Sequence, residues 1–402
     1  MCAAINPLPK ESKVKKIGVL FGMENTFPGA LVERINTMAA ESKDGDGISA
    51  EFVQVGGVQL EKPSPYAVIV DRISHDIPFY RAYLKHAALH GTVIINNPFW
   101  WSADDKFFNY SLAAKLGVAV PPTVILPHKK YPEGTNERSM RNLEYPLDWD
   151  GIFEYVGFPA FLKPVDGGGW RDVHHVHNPE EFFQAYDQSR DLCMTLQGAV
   201  KFNEYFRCYV IGQEKVHIMP YDPRRPHHER YLQDAPEYDK KLLKRVEKDA
   251  LTLCRALGYD INTVEFAVED GVPYAIDFMN PAPDADLHSV GPENFEWIVS
   301  KVAKLAIKKA KAAPAAPVLQ AQAFLGGPFS KADAKAEVDA PAQSTEKKST
   351  EKKTAVAKTA PEKKTPAPTK AGASKTGVSK KAAPKKKAAE AATATPVETP
   401  TE

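Results

Sequence analysis

Residues Asn262 to Asn280 carry two alternating apolar runs on either side of Asp270-Gly271, and each run holds one acid among hydrophobic neighbours, Glu265 and Asp277. Asp-Gly between such runs signals a β-hairpin. Two unpaired carboxylates in an apolar sheet are costly, so the turn decides what this part of the chain can build. A two-residue Asp270-Gly271 loop pairs Glu265 with Ile276 and sends Asp277 to the opposite face. A three-residue loop, Glu269-Asp270-Gly271 with Gly271 left-handed, pairs Glu265 with Ala275. It sets Glu265 and Asp277 diagonally on one face, about 7–8 Å apart at Cβ. Two carboxylates at that separation can share a divalent cation, so the diagonal register makes a magnesium cradle.

At 402 residues and 43% hydrophobic content the chain is long enough for two or three domains with a real core. The end of the chain is different. From Lys331 onward it is Lys, Ala, Pro, Thr and Glu with no aromatic residue, which cannot offset chain entropy by burial. Sixteen lysines against nine acids make that stretch +7 and, with the whole chain at +1, leave the preceding body at −6. A disordered, Lys/Ala/Pro-rich tail is expected over residues 313–402. Its Ala-Ala-Pro-Lys-Lys-Lys pattern resembles linker-histone-like tails and predicts weak polyanion binding; a solubilising extension is the equal alternative.

The four cysteines (Cys2, Cys193, Cys208, Cys254) have no short paired spacing, which fits a reducing compartment. Ile17 to Phe21 is too short for a signal-peptide core, and no run approaches the roughly 20 apolar residues of a membrane span. A soluble, cytoplasmic protein without a membrane partner is expected. Pattern alone does not separate an oligomer interface from core.

Strands over 17–22, 49–58, 66–71 and 92–97, alternating with helices over 28–40 and 78–90, predict a small parallel α/β domain over 15–100. A helix after Ser102 to Asp105 is expected to bury Phe107, Phe108, Leu112 and Leu116. Residues 128–150 read as a loop. A mixed α+β region over 101–312 follows. It holds a strand over 159–164, a helix after Asn178, a hairpin around Gly212-Gln213, an amphipathic helix over 240–257 and a last helix over 295–312.

Lys163 sits in an apolar strand four residues before Gly167-Gly168-Gly169. A strand-held lysine followed by amides free of side chains suits nucleotide phosphates. A lysine snorkelling from a sheet edge beside a plain turn is the bland alternative. Five histidines (174, 175, 177, 227, 228) complete no tetrahedral zinc set.

Four segments together resemble the ATP-grasp enzymes, nearest the RimK-like and glutathione-synthase-like carboxylate–amine ligases. They are Thr92–Leu126, Phe158–Val173, Leu196–Gly212 and Asn262–Asn280, in family order across nearly 300 residues. The resemblance implies a small α/β domain followed by two α+β subdomains sandwiching ATP. By that resemblance Lys106, Lys163 and Gly167, Gly168 and Gly169 contact the nucleotide phosphates. Gln197 to Val200, with Glu204 nearby, form the hinge that binds adenine. Arg207 stabilises the transferred phosphoryl group, and Glu265, Asp277 and Asn280 hold Mg2+, or Mn2+ in its place. The family places its last acid and amide two apart, whereas Asp277 and Asn280 are three apart, so Asn280 reaches the metal only if the chain bends or bulges. Trp170-Arg171-Asp172 stands where relatives often have another glycine. Arg224, Arg225 and Arg230 match no family motif and could clamp a substrate carboxylate or phosphate, a solvated basic loop being the alternative.

The implied activity is an ATP- and Mg-dependent ligase forming ADP and phosphate, joining a small-molecule or peptide carboxylate to an amine or thiol through an acylphosphate. The other class of reading is a non-catalytic ATP-binding module tethered by its tail to nucleic acid or another polyanion.

Overall fold

Buried strands alternating with amphipathic helices build the first third of the chain. The structure is a computed structural model that describes residues 14–42 and 47–312; the tail expected over 313–402 lies outside the described residues. β1 (Lys15–Leu20), α1 (Phe27–Glu41), β2 (Ile48–Phe52), β3 (Tyr66–Asp71), α2 (Pro78–Leu89) and β4 (Val93–Ile95) form a parallel sheet in the order β2-β1-β3-β4. The strand expected over 49–58 stops at Phe52, and just beyond it the Val53 amide still bonds the sheet, to the Val19 carbonyl at 3.0 Å. β2 is an edge strand and Gly56-Gly57 follow, which offer no side chain to hold the pairing.

α3 (Pro98–Trp101), α4 (Lys106–Lys115), β5 (Thr123–Leu126), α5 (Trp149–Val156), β6 (Ala160–Pro164), β7 (His174–Val176), α6 (Pro179–Gln188) and β8 (Met194–Gly198) come next, with an antiparallel sheet in the order β5-β8-β6-β7. α5 begins inside the expected loop. Asp148 caps it by accepting from the Gly151 amide at 3.0 Å, and Trp149 packs on Phe182 with ring centroids 5.5 Å apart. α4 corrects another expectation. It buries Lys106, Asn109, Tyr110 and Ala113 and leaves Phe108 49% and Leu116 41% exposed. Tyr110 and Ala113 of its inward side join the core under α7, while Lys106 at its start lines a cleft, so the buried side is not the one that the phenylalanines mark.

β9 (Glu204–Ile211), β10 (Lys215–Pro220), α7 (Lys240–Leu257), β11 (Ile261–Glu269), β12 (Val272–Asp277), α8 (Leu287–Val290) and α9 (Pro292–Ala312) complete the described chain, with a second antiparallel sheet in the order β10-β9-β11-β12. α7 runs over the expected residues and stops at Gly258, whose φ of +75° suits glycine. Phe206, Cys208, Val210, Val264 and Phe266 pack with α7 residues Val246, Ala250 and Leu253. On the other side α9 joins two sheets: Ile298, Val299 and Val302 share one core with Ile17, Val19 and Val68 of the parallel sheet and with Tyr209 and Ile211 of β9. Among the described residues no helix is long and apolar enough to cross a membrane.

A single amide ties the parallel sheet to the hairpin. Asn96, 2% exposed, accepts from the Asp260 and Ile261 amides at 2.7 and 2.8 Å, and donates to the Ile261 and Pro281 carbonyls at 2.7 and 2.8 Å. Its two ends therefore hold both the entry to β11 and the chain leaving β12. Removing it strands buried backbone groups. Asn96→Ala is expected to cost about 3 kcal/mol or more in urea denaturation; a loss below about 1 kcal/mol would show that the latch is dispensable.

Candidate functional site

The hairpin closes in a way that neither simple register anticipates. β11 and β12 are joined by Asp270 and Gly271 alone, with φ of +51° and +74°, so the two-residue loop forms and the expected three-residue one does not. Pairing runs from Glu269 opposite Val272 to Phe266 opposite Ala275, which points Glu265 at Ile276. A bulge intervenes there, and Glu265 faces Asp277 directly instead of diagonally. Ile276 is the extra residue. Its carbonyl is taken from the cleft side by the Tyr110 hydroxyl at 2.8 Å and by Lys163 Nζ at 3.4 Å. Side chains distant in sequence thus stabilise the irregularity that brings the acids into phase.

Glu265 also pairs with Arg207 on β9, so Arg207, Glu265 and Asp277 form one row across three neighbouring strands. Arg207 Nε lies 3.7 Å from Glu265 Oε1, too far for a hydrogen bond, and is buried with no hydrogen-bond partner among the described residues. The Tyr205 hydroxyl donates to Glu265 Oε2. Burial raises the Glu265 pKa, with Arg207 opposing and Asp277 reinforcing the shift. Asn280 turns toward the same strand face. Its Nδ2 donates to Thr263 Oγ1 at 2.9 Å, two residues before Glu265, and its backbone amide donates to Asn262 Oδ1 at 3.1 Å. That leaves the Asn280 Oδ1 for the cleft, which this residue lines. Two facing carboxylates and an amide oxygen are a hard-oxygen set that fits Mg2+. Among the described residues no group of three or more His, Cys, Asp or Glu gathers as a metal cluster.

These residues line a cleft of about 650 Å³ together with Lys106, Lys163 and the three glycines. Lys163 on β6 donates to Gln197 Oε1 at 2.8 Å and lies 5.0 Å over the Tyr110 ring. Burial pushes its pKa down to about 8, with Asp277 opposing and Lys106 adding to the shift. Lys106 donates to the Gly167 carbonyl, tying α4 to the glycine loop. Gly167 and Gly169 have φ of +88° and +68°, and the non-glycine Trp170 and Asp172 follow at +63° and +56°. Strained backbone of that kind accompanies a loop held in a special shape over a ligand cleft.

Not every expected residue comes to this cleft. Gln197 does, but its side chain braces Lys163 and donates to Thr123 Oγ1 at 2.8 Å, so it is not a free hinge edge. Val200 lines the cleft, and its amide and that of Lys201 make no hydrogen bond among the described residues. Glu204 is displaced: strand alternation puts it with Phe206, Cys208 and Val210 on the α7 side of β9, opposite Tyr205 and Arg207. Of the three arginines in the unassigned loop, only Arg230 lines the cleft. Arg224 is held by Asp222 through bonds of 2.8 and 3.0 Å, and Arg225 lies exposed, 3.8 Å from the same acid. Tyr110, Tyr205 and Thr263 escaped the sequence reading. Each stands at a spacing that could have found it: Tyr110 one helical turn after Lys106, Tyr205 two before Arg207, Thr263 two before Glu265.

No family model matches the chain. D-alanine–D-alanine ligases of Clostridium botulinum are 25% identical over 184 residues, covering 42% of this chain and 58% of the ligase. The chain therefore spans less than two thirds of the curated relatives it matches. Among solved structures, the D-alanine–D-alanine ligase from Bacillus anthracis complexed with ATP superposes with TM-score 0.51 and 17% identity over 74% of this chain and 98% of that one. The VanG D-Ala:D-Ser ligase from Enterococcus faecalis gives 0.52 and 16% over 74% and 100%. A RimK domain ATP-grasp protein from Sphaerobacter thermophilus gives 0.51 and 15% over 73% and 99%. At these identities the likeness speaks to the fold.

Asp277 faces a like charge, and no hydrogen bond to its carboxylate is found among the described residues. Burial, reinforced by the facing Asp277, holds the Glu265 carboxyl above its ordinary pKa, so Glu265→Gln is expected to stabilise the metal-free protein at pH 7, read from urea denaturation in EDTA. Destabilisation would show that the attraction of Arg207 for the carboxylate outweighs the cost of its burial.

Proposed function

The chain has the ATP-grasp fold, and from that premise we propose that it is an ATP- and Mg-dependent ligase that joins a carboxylate to an amine through an acylphosphate. The observation that carries this reading is the row of Arg207, Glu265 and Asp277 lining one cleft with Lys106 and Lys163. In this reading Lys106 and Lys163 neutralise the nucleotide phosphates, and residues 167–169 close over them. The nucleobase edge meets the Val200 and Lys201 amides. Glu265, Asp277 and Asn280 hold the magnesium, which when bound neutralises charge on the β- and γ-phosphates.

A substrate carboxylate oxygen attacks the γ-phosphorus and the bond to the β-phosphate oxygen breaks, giving ADP and an acylphosphate. An amine then attacks the acyl carbon, the carbon–oxygen bond to phosphate breaks, and the amine loses a proton. Arg207, whose buried Nε has no hydrogen-bond partner, offers its charge to the phosphoryl group during both steps. No nucleophilic side chain is required. Amino acids are the first substrates to test, since the relatives' names specify D-alanine and D-serine. Arg230, the arginine of the 222–230 loop that lines the cleft, is proposed to meet the substrate's acidic end. A cytoplasmic location belongs to the same reading and rests on the scattered cysteines.

ADP release from Mg-ATP with a pool of amino acids and short peptides tests the activity; nucleotide binding without turnover in any pool would sink it. Arg207→Ala is expected to lower kcat at least about 100-fold while changing nucleotide affinity little. Lys163 binds phosphate in its charged form, and its pKa is about 8 in the free protein. Nucleotide affinity should therefore fall as pH rises from 7 to 9, measured by titrating a fluorescent ATP analogue. In Lys163→Arg that fall should vanish, because arginine stays charged; a wild-type profile that is flat over this range would contradict the assignment.

A further inference from the structure

The proposed metal pair is not symmetric in its surroundings. Glu265 Oε2 accepts the Tyr205 hydroxyl, whereas among the described residues Oε1 has Arg207 Nε at 3.7 Å, a Coulombic neighbour, and no hydrogen bond. Tyr205 stands two residues before Arg207 on β9, so strand alternation puts its ring on the same sheet face as the acid. The ring is itself fixed. It is 7% exposed and packs on Phe202 and Tyr221 with centroids 5.0 and 5.9 Å apart. One carboxylate oxygen is thus occupied by a rigid donor before any metal arrives, and the other is left to a cation.

We propose that Tyr205 is a positioning residue that makes Glu265 a one-oxygen ligand and so selects a small six-coordinate cation over calcium. The chemistry follows from the two ions. Mg2+ takes a near-octahedral set at about 2.0–2.1 Å, too tight for both oxygens of one carboxylate to fit well, and Mn2+ shares its preference for six oxygens. Ca2+ takes about 6–8 oxygens at roughly 2.3–2.6 Å and readily accepts both oxygens of one carboxylate. A Glu265 free to turn would offer that second oxygen; the Tyr205 hydroxyl withholds it. Asn280 is treated alike, since the Thr263 hydroxyl holds its Nδ2 and leaves Oδ1 outward. This inference rests on the metal assignment proposed above, and it adds that cation choice is set one layer behind the ligands.

Tyr205→Phe keeps the ring and its packing and removes only the hydroxyl. Full-length wild type and variant would be titrated with Mn2+, followed by electron paramagnetic resonance in the presence of a non-hydrolysable ATP analogue, and then with Ca2+ as competitor. Wild type is expected to prefer Mn2+. In Tyr205→Phe, Mn2+ binding should weaken about tenfold and Ca2+ binding should hold or tighten, so the Mn2+/Ca2+ ratio drops about tenfold or more. Both ions are read on one sample, so partial unfolding cancels from the ratio. Equal weakening of both ions would assign Tyr205 a merely structural role and overturn the inference while leaving the metal site standing. Absence of any Mn2+ binding by wild type would overturn the metal assignment as well.

Discussion

Two half-buried carboxylates facing each other across a hairpin are the constraint around which this molecule is arranged. Glu265 and Asp277 would repel each other in any surroundings, and burial raises the cost of keeping Glu265 charged. The fold answers with cations and donors brought from separate elements: Arg207 from β9, Lys163 from β6, the Tyr205 hydroxyl from β9. Each is itself placed by something further out. Lys163 is braced by Gln197, the Tyr205 ring by Phe202 and Tyr221, and the hairpin as a whole by Asn96 at the end of the parallel sheet. Such an arrangement is poorly optimised for a metal-free protein and suits one whose charge balance is completed by ligands.

The cleft is lined from both antiparallel sheets, and the acids and Lys163 come from different ones. β11 and β12 bring the acids, and β6 with α4 brings the lysines on the opposite side of the space. The bulge at Ile276 links the two halves. Its carbonyl leaves the strand ladder and is held by Tyr110 and Lys163, so the residue that corrects the register of the acids also anchors the phosphate-side lysine. α9 lies on the far side of the central sheet and ties it to the parallel one through Ile298, Val299 and Val302. The apolar layer is therefore continuous, while the polar chemistry is confined to the cleft.

Much of this was legible residue by residue. Helix α7 has a strong apolar stripe and a glycine stop, and it forms over the residues its pattern indicates. Lys163 and the glycine cluster stand out because charge inside an apolar strand is unusual, and four ordered segments carried the resemblance whose implied fold is the one observed. Where the reading went astray, a local rule met a distant partner. α4 turns Lys106 into the cleft and Tyr110 and Ala113 into the core under α7, and Phe108 is left outside. Glu204 was counted with the hinge for its nearness in sequence to Arg207, yet three residues along a strand reverses its face. α5, two turns long, was too short for periodicity to reveal.

What the amino-acid sequence determined by itself was the inventory and its phase: a hairpin with one acid in each arm, a lysine before three glycines, an arginine on the neighbouring strand. Side-chain alternation has a period of two, so the partners of Arg207 and Glu265 on each strand face were implied once the strands were known. Only the tertiary structure decided that the acids meet. The Asp270-Gly271 turn, taken alone, puts Glu265 and Asp277 out of phase. One extra residue restores the phase, and the groups that hold its carbonyl lie 166 and 113 residues away in the chain. A bulge costs a ladder hydrogen bond, and whether that bond is recovered elsewhere depends on which elements pack against the strand.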